Sequence, residues 1–101
     1  MHAHFFFSVF LADGRAFGKA DIDIQTTDVP RVGDSIDLLK LSTGGKVAKL
    51  LQPKDLQVTN IQERDSYWGV ELADVVLGSK SEAESFLYAL QSIGFDCDTW
   101  A

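Results

Sequence analysis

The sequence predicts an α+β fold: a strongly curved, mainly antiparallel sheet or small open barrel of five to six strands, with one C-terminal helix packed on it. Three observations lead there. Side chains alternate through residues 16–25 with the period of a half-buried strand. Residues 83–93 switch to the 3.6-residue period of an amphipathic helix. The strand-like segments all precede that helix, which argues against alternating strands and helices around a parallel sheet.

The first strand places Phe5, Phe7, Val9 and Leu11 on one face, because successive strand side chains point to opposite sides. Asp13-Gly14 then supplies residue types suited to a tight hairpin turn. In the returning strand Ala16, Gly18, Ala20, Ile22 and Ile24 share one side. Phe17, Lys19, Asp21, Asp23 and Gln25 share the other. Pro30 and Gly33 mark a connection, and a strand is expected over Ser35–Leu41 with Ile36 and Leu38 inward. Ser42-Thr43-Gly44-Gly45 is a turn; Val47–Leu51 reads equally as a short strand or one helical turn.

Leu56–Glu63 and Tyr67–Leu77 form a second hairpin, whose phase slips around Asp74 as at a bulge. Ser81 followed by Glu84 has the spacing of a capping box. Ala83, Phe86, Leu87, Leu90 and Ile93 make the helix's apolar stripe, and Gly94 suits the position just past its end. The whole forms a single domain over residues 1–101: sheet or barrel over 1–77, helix over 79–94, tail over 95–101.

The chain carries 9 Lys+Arg against 15 Asp+Glu, a net charge of −6. Residues 51–101 hold that whole excess, with three basic side chains (Lys54, Arg64, Lys80) against nine acidic ones. An acidic domain repels polyphosphate, which disfavours nucleic acid as a general partner. One segment departs from this: Lys40, Lys46, Lys49 and Lys54 follow one another with no carboxylate between them. They define the alternative reading, a nucleic-acid-binding small barrel.

Phe5–Leu11 is apolar but follows no Lys or Arg and precedes no small-residue cleavage pattern, so it reads as a strand rather than a secretory signal. No apolar run approaches the ~18 residues that span a bilayer. With a single cysteine, Cys97, a cytoplasmic location is expected.

Catalytic signatures fall short on inspection. Thr43-Gly44-Gly45-Lys46 lacks both the upstream Gly and the following Ser or Thr of a phosphate-binding loop. Asp21 and Asp23 have no calcium-loop spacing around them. Cys97 lies between Asp96 and Asp98, whose charge opposes thiolate formation. His2 and His4 face one side of a strand and are the metal-ligand candidates, but no further ligand is nominated. The expectation is therefore no enzyme, no metal and no cofactor.

The aromatic residues point elsewhere. Phe6 and Phe10 lie opposite the Phe5/Phe7 side, and Phe17 lies on the polar side of the next strand. These three are the candidate partner-binding residues, because exposed apolar patches mark interaction surfaces. The function expected is a non-enzymatic protein-binding, adaptor or regulatory module, engaging a protein partner or a second copy as a homodimer.

Overall fold

A computed structural model describes residues 2–41, 51 and 53–100. The candidate turn at 42–45, the ambiguous segment before Leu51, and Lys46 and Lys49 lie outside the described residues.

The fold is α+β, and its described residues form an open and mostly antiparallel sheet of seven strands. The strands are β1 (His2–Leu11), β2 (Ala16–Gln25), β3 (Ser35–Asp37), β4 (Asp55–Glu63), β5 (Tyr67–Leu72), β6 (Val75–Leu77) and β7 (Asp96–Thr99). Helix α1 (Lys80–Ser92) precedes the last strand. The spatial order is β3-β4-β5-β1-β2-β7, with β6 also paired to β1.

The first hairpin forms as the alternation requires, with His2 opposite Gln25 and Val9 opposite Gly18. At its closed end the pairing slips, so that Phe10 faces Ala16 and Phe17 becomes an extra residue. A bulge turns its extra side chain away from strict alternation. Phe17 accordingly joins the core at 4% exposure, rather than the polar side that period-two counting gave it.

The second hairpin, β4 with β5, also forms, closed by the Arg64 amide donating to the Tyr67 carbonyl at 2.8 Å. Beyond Leu72 the expected long strand divides in two. The β5 register against β1 is His2 with Tyr67, an offset of 67 − 2 = 65; for β6 it is Val9 with Val75, an offset of 75 − 9 = 66. One additional residue at Ala73-Asp74 is therefore absorbed between two strands that share an edge of β1. Both run parallel to β1, an arrangement that brings the second hairpin beside the first at the centre of the sheet.

Three other elements differ from the sequence expectation. The strand from Ser35 stops at Asp37, whose Oδ1 accepts the Leu39 amide at 2.9 Å and starts a 3-10 turn over Leu38–Leu41. That local bond competes with a ladder. The residues read as a tail form β7, paired antiparallel with β2. The helix is capped by Ser79 instead of Ser81. The Ser79 hydroxyl accepts the Glu82 amide at 3.2 Å, and the Glu82 carboxylate accepts the Gly78 amide at 3.3 Å.

Helix α1 lies across one face of the sheet. Ala83, Phe86, Leu87, Leu90 and Ile93 are all buried there, as the stripe predicts. Phe7 of β1 meets Phe86 and Phe95, with ring centroids 6.2 and 6.5 Å apart. The helix ends with Gly94 at φ +108°, where the Phe95 amide reaches back to the Leu90 carbonyl and the Gly94 amide to Gln91. This pair of bonds satisfies carbonyls that the last turn leaves free. One continuous hydrophobic cluster joins helix and sheet, and on the opposite sheet face Phe6, Tyr67 and Val76 are exposed among the described residues.

Candidate interaction surface

The uncovered sheet face is set by β1. Its inward residues Ala3, Phe5, Phe7, Val9 and Leu11 are buried, so His2, His4, Phe6, Ser8 and Phe10 point outward. The registers place Tyr67, Gly69 and Glu71 on one side of His2, His4 and Phe6, and Gln25, Asp23 and Asp21 on the other.

His4 is held from two directions. Its Nδ1 is 2.6 Å from Asp23 Oδ1, and its ring stacks on Phe6 with centroids 5.8 Å apart. A carboxylate only accepts, so Nδ1 carries the hydrogen and Nε2 is left for another partner. Phe6 leans across Gly69, where an added Cβ would sit 4.0 Å from the ring. A ring laid over a strand glycine shields backbone that has no side chain of its own. His4, Phe6, Tyr67, Glu71 and Arg64 border one shallow hollow over this point.

The two sequence-nominated histidines do face one side, and with Asp23, Ser66 and Tyr67 they line a neighbouring hollow. Among the described residues, however, no group of three or more His, Cys, Asp or Glu is placed to hold a metal ion. The arrangement orients an imidazole; its bond goes to a carboxylate and not to a hydroxyl that it could activate.

Phe6 is 37% exposed and Phe10 is half-buried on this face, while Phe17 lies in the core. The structure therefore keeps Phe6 and Phe10 on one face of β1, with Ser8 between them, and removes Phe17 to the core. It adds two residues that strand periodicity did not nominate: Tyr67, 41% exposed beside His2, and Val76, 62% exposed beside Phe10. Their position follows from parallel pairing, for which the sequence carries no local signal.

Carboxylates border the apolar stripe. Asp21 faces Asp96 across β2 and β7. Burial pushes the Asp21 carboxyl above its ordinary range, His4 opposes that shift, and Asp96 adds to it. Lys40 and Lys54 stand at the far edge of the sheet, away from Phe6. Lys40 borders a hollow with Asp37 and Asp55, and Lys54 Nζ is 3.9 Å from Asp55. The carboxylates that flank the lysine segment in sequence thus come among its described lysines in space.

Cys97 is half-buried, with Sγ 3.6 Å from the Leu87 carbonyl. Burial, followed by Asp21, Asp96 and Asp98, pushes its thiol up to about 12. A thiol held this way is a weak nucleophile.

Among the described residues no helix is long and apolar enough to cross a membrane. Comparison with protein-family models, with curated proteins and with solved structures finds no match to this chain.

Proposed function

We propose that this protein is a non-enzymatic protein-binding module that engages its partner through the open face of the sheet. The observation that carries this reading is the apolar stripe Tyr67–Phe6–Phe10–Val76. It runs along the solvent side of β1 and its parallel neighbours while the other side is covered by α1. Aromatic side chains standing among polar neighbours give large contact area with little rotamer entropy to lose, the usual composition of an interface centre. The oriented His4 adds a directional hydrogen-bonding group within the same stripe.

The nucleic-acid reading draws less support. Lys40 and Lys54 are interleaved with Asp37 and Asp55, and no exposed aromatic of the stripe adjoins them.

The test is a photo-crosslinking amino acid placed at position 6 or 10 in the source cell, with position 32 as control. Val32 is 63% exposed but remote from the stripe in sequence and strand order. A defined partner captured from positions 6 and 10 and not from 32 supports the reading. Equal capture from all three sites, or from none, overturns it. Sedimentation across concentrations separates a homodimer from a complex with another protein.

A further inference from the structure

We propose a second docking site, distinct from the open face: the free edge of β7, which accepts an extended basic segment of another protein as an added strand. β7 ends the strand order, so among the described residues one side of its backbone has no partner strand. Which groups are free follows from one bond. The Trp100 amide donates to the Phe17 carbonyl at 2.9 Å, and antiparallel residues alternate between facing their partner and facing away. Asp96 and Asp98 therefore direct their backbone groups at β2, whereas those of Cys97 and Thr99 point outward.

This edge runs beside a groove against α1. Leu87, Tyr88, Gln91, Cys97 and Thr99 line it together with the acidic Glu84 and Asp98, and Tyr88 is 75% exposed although the helix otherwise buries its large apolar residues. A strand added there sets alternate side chains over Leu87 and Tyr88. The intervening ones fall on the opposite face, level with Asp96 and Asp98. Main-chain bonds then supply affinity and the alternate side chains supply selectivity.

Charge decides the occupant. Asp96 and Asp98 lie on the outer face beside Asp21, and among the described residues Lys19 is the cation that approaches, 4.0 Å from Asp98. A second copy would set the same two aspartates against this pair, and like charges across strands are destabilising. Lys or Arg at every second position, with apolar residues between, complements both faces. This site stands apart from the stripe around Phe6 and does not depend on it.

The test uses the whole chain and two blocked hexapeptides, one alternating lysine with valine and one alternating glutamate with valine. Amide exchange is followed residue by residue. The lysine peptide is expected to slow exchange at Cys97 and Thr99 saturably and to bind roughly tenfold more tightly than the glutamate peptide. Phe6→Ala leaves this unchanged, whereas Asp96→Lys with Asp98→Lys reverses the peptide preference. Should that double variant fail to fold, added salt on the native chain replaces it, and salt-insensitive binding counts against the proposal. Equal affinity for both peptides, or no binding, overturns it. Protection at His4 and Tyr67 in place of Cys97 and Thr99 overturns it while leaving the open-face reading intact. Slowing of Cys97 and Thr99 with protein concentration alone overturns it in favour of a second copy.

Discussion

Gly18 lies directly against the backbone of Asp98: a Cβ added there would stand 2.3 Å from the Asp98 carbonyl oxygen and 3.3 Å from Leu87 Cδ1. The obstacle at 2.3 Å is main chain, which cannot swing aside as a side-chain tip can. Gly18→Ala is therefore expected to push β7 off β2 and to destabilise the protein by about 1–3 kcal/mol. Urea denaturation checks the magnitude. Amide exchange checks the location, since β7 should lose protection before β1. An alanine variant as stable as the parent would show that β7 is not docked this closely.

Adjacent phenylalanines in β1 should respond very differently. Phe7 is 2% exposed and packs against Phe86 and Phe95, whereas Phe6 is 37% exposed over Gly69. Truncating a buried ring removes its transfer energy and leaves a cavity, so Phe7→Ala is expected to cost about 3–5 kcal/mol. Phe6→Ala should cost about 1 kcal/mol or less, because its ring already meets water. Denaturation midpoints of the two variants give the comparison. Similar losses would place Phe6 in the core and remove the basis of the interaction surface.

The helix cap offers a test within three residues. Ser79→Ala removes the acceptor for the Glu82 amide and should destabilise by about 1 kcal/mol. Ser81→Ala, one residue inside the helix start at Lys80, should change stability by less than about 0.5 kcal/mol. Helical circular dichroism and urea midpoints report both. If Ser81 were the more sensitive position, the helix would begin two residues later than described.

Cys97 predicts a pH dependence of definite sign. Its thiol is raised from 9.0 to about 12, by burial first and then by Asp21, Asp96 and Asp98. The native state thus holds this proton more tightly than the unfolded chain does. The contribution is fully present below pH 9 and is lost as pH rises through the window toward 12. Stability measured between those limits should fall less steeply for Cys97→Ser than for the parent. At pH 8 a disulfide reagent should label the native thiol far more slowly than the unfolded one. Equal labelling rates would contradict the burial.

How much of this was legible in the residues depends on the range over which each choice is made. The first hairpin, the apolar stripe of α1 and the Gly94 stop are local patterns, and each was readable because side-chain period and turn chemistry act over a few positions. The cap was readable in kind but not in place. Gly78-Ser79-Lys80-Ser81-Glu82-Ala83-Glu84 offers two overlapping capping boxes, and in the fold the Ser79 hydroxyl is the one that accepts the Glu82 amide. Alternation alone places Phe6 and Phe10 on the outer face. Alternation misplaces Phe17 because a bulge is a decision between two strands, and a single strand carries no trace of it.

The amino-acid order by itself determined an α+β chain in which most strands precede an amphipathic helix that needs a sheet to cover. It also determined the acidic balance and the lack of a recognisable catalytic motif. Tertiary structure alone decided that β5 and β6 run parallel to β1, that the last residues become an edge strand, and that Tyr67 and Val76 complete an exposed stripe with Phe6 and Phe10. The physical reason is separation along the chain. Parallel pairing and edge docking are made by backbone groups far apart in sequence, and backbone groups are the same in every residue but proline. What distinguishes one pairing from another is the shape of the shared core, which exists only once the chain has closed around it.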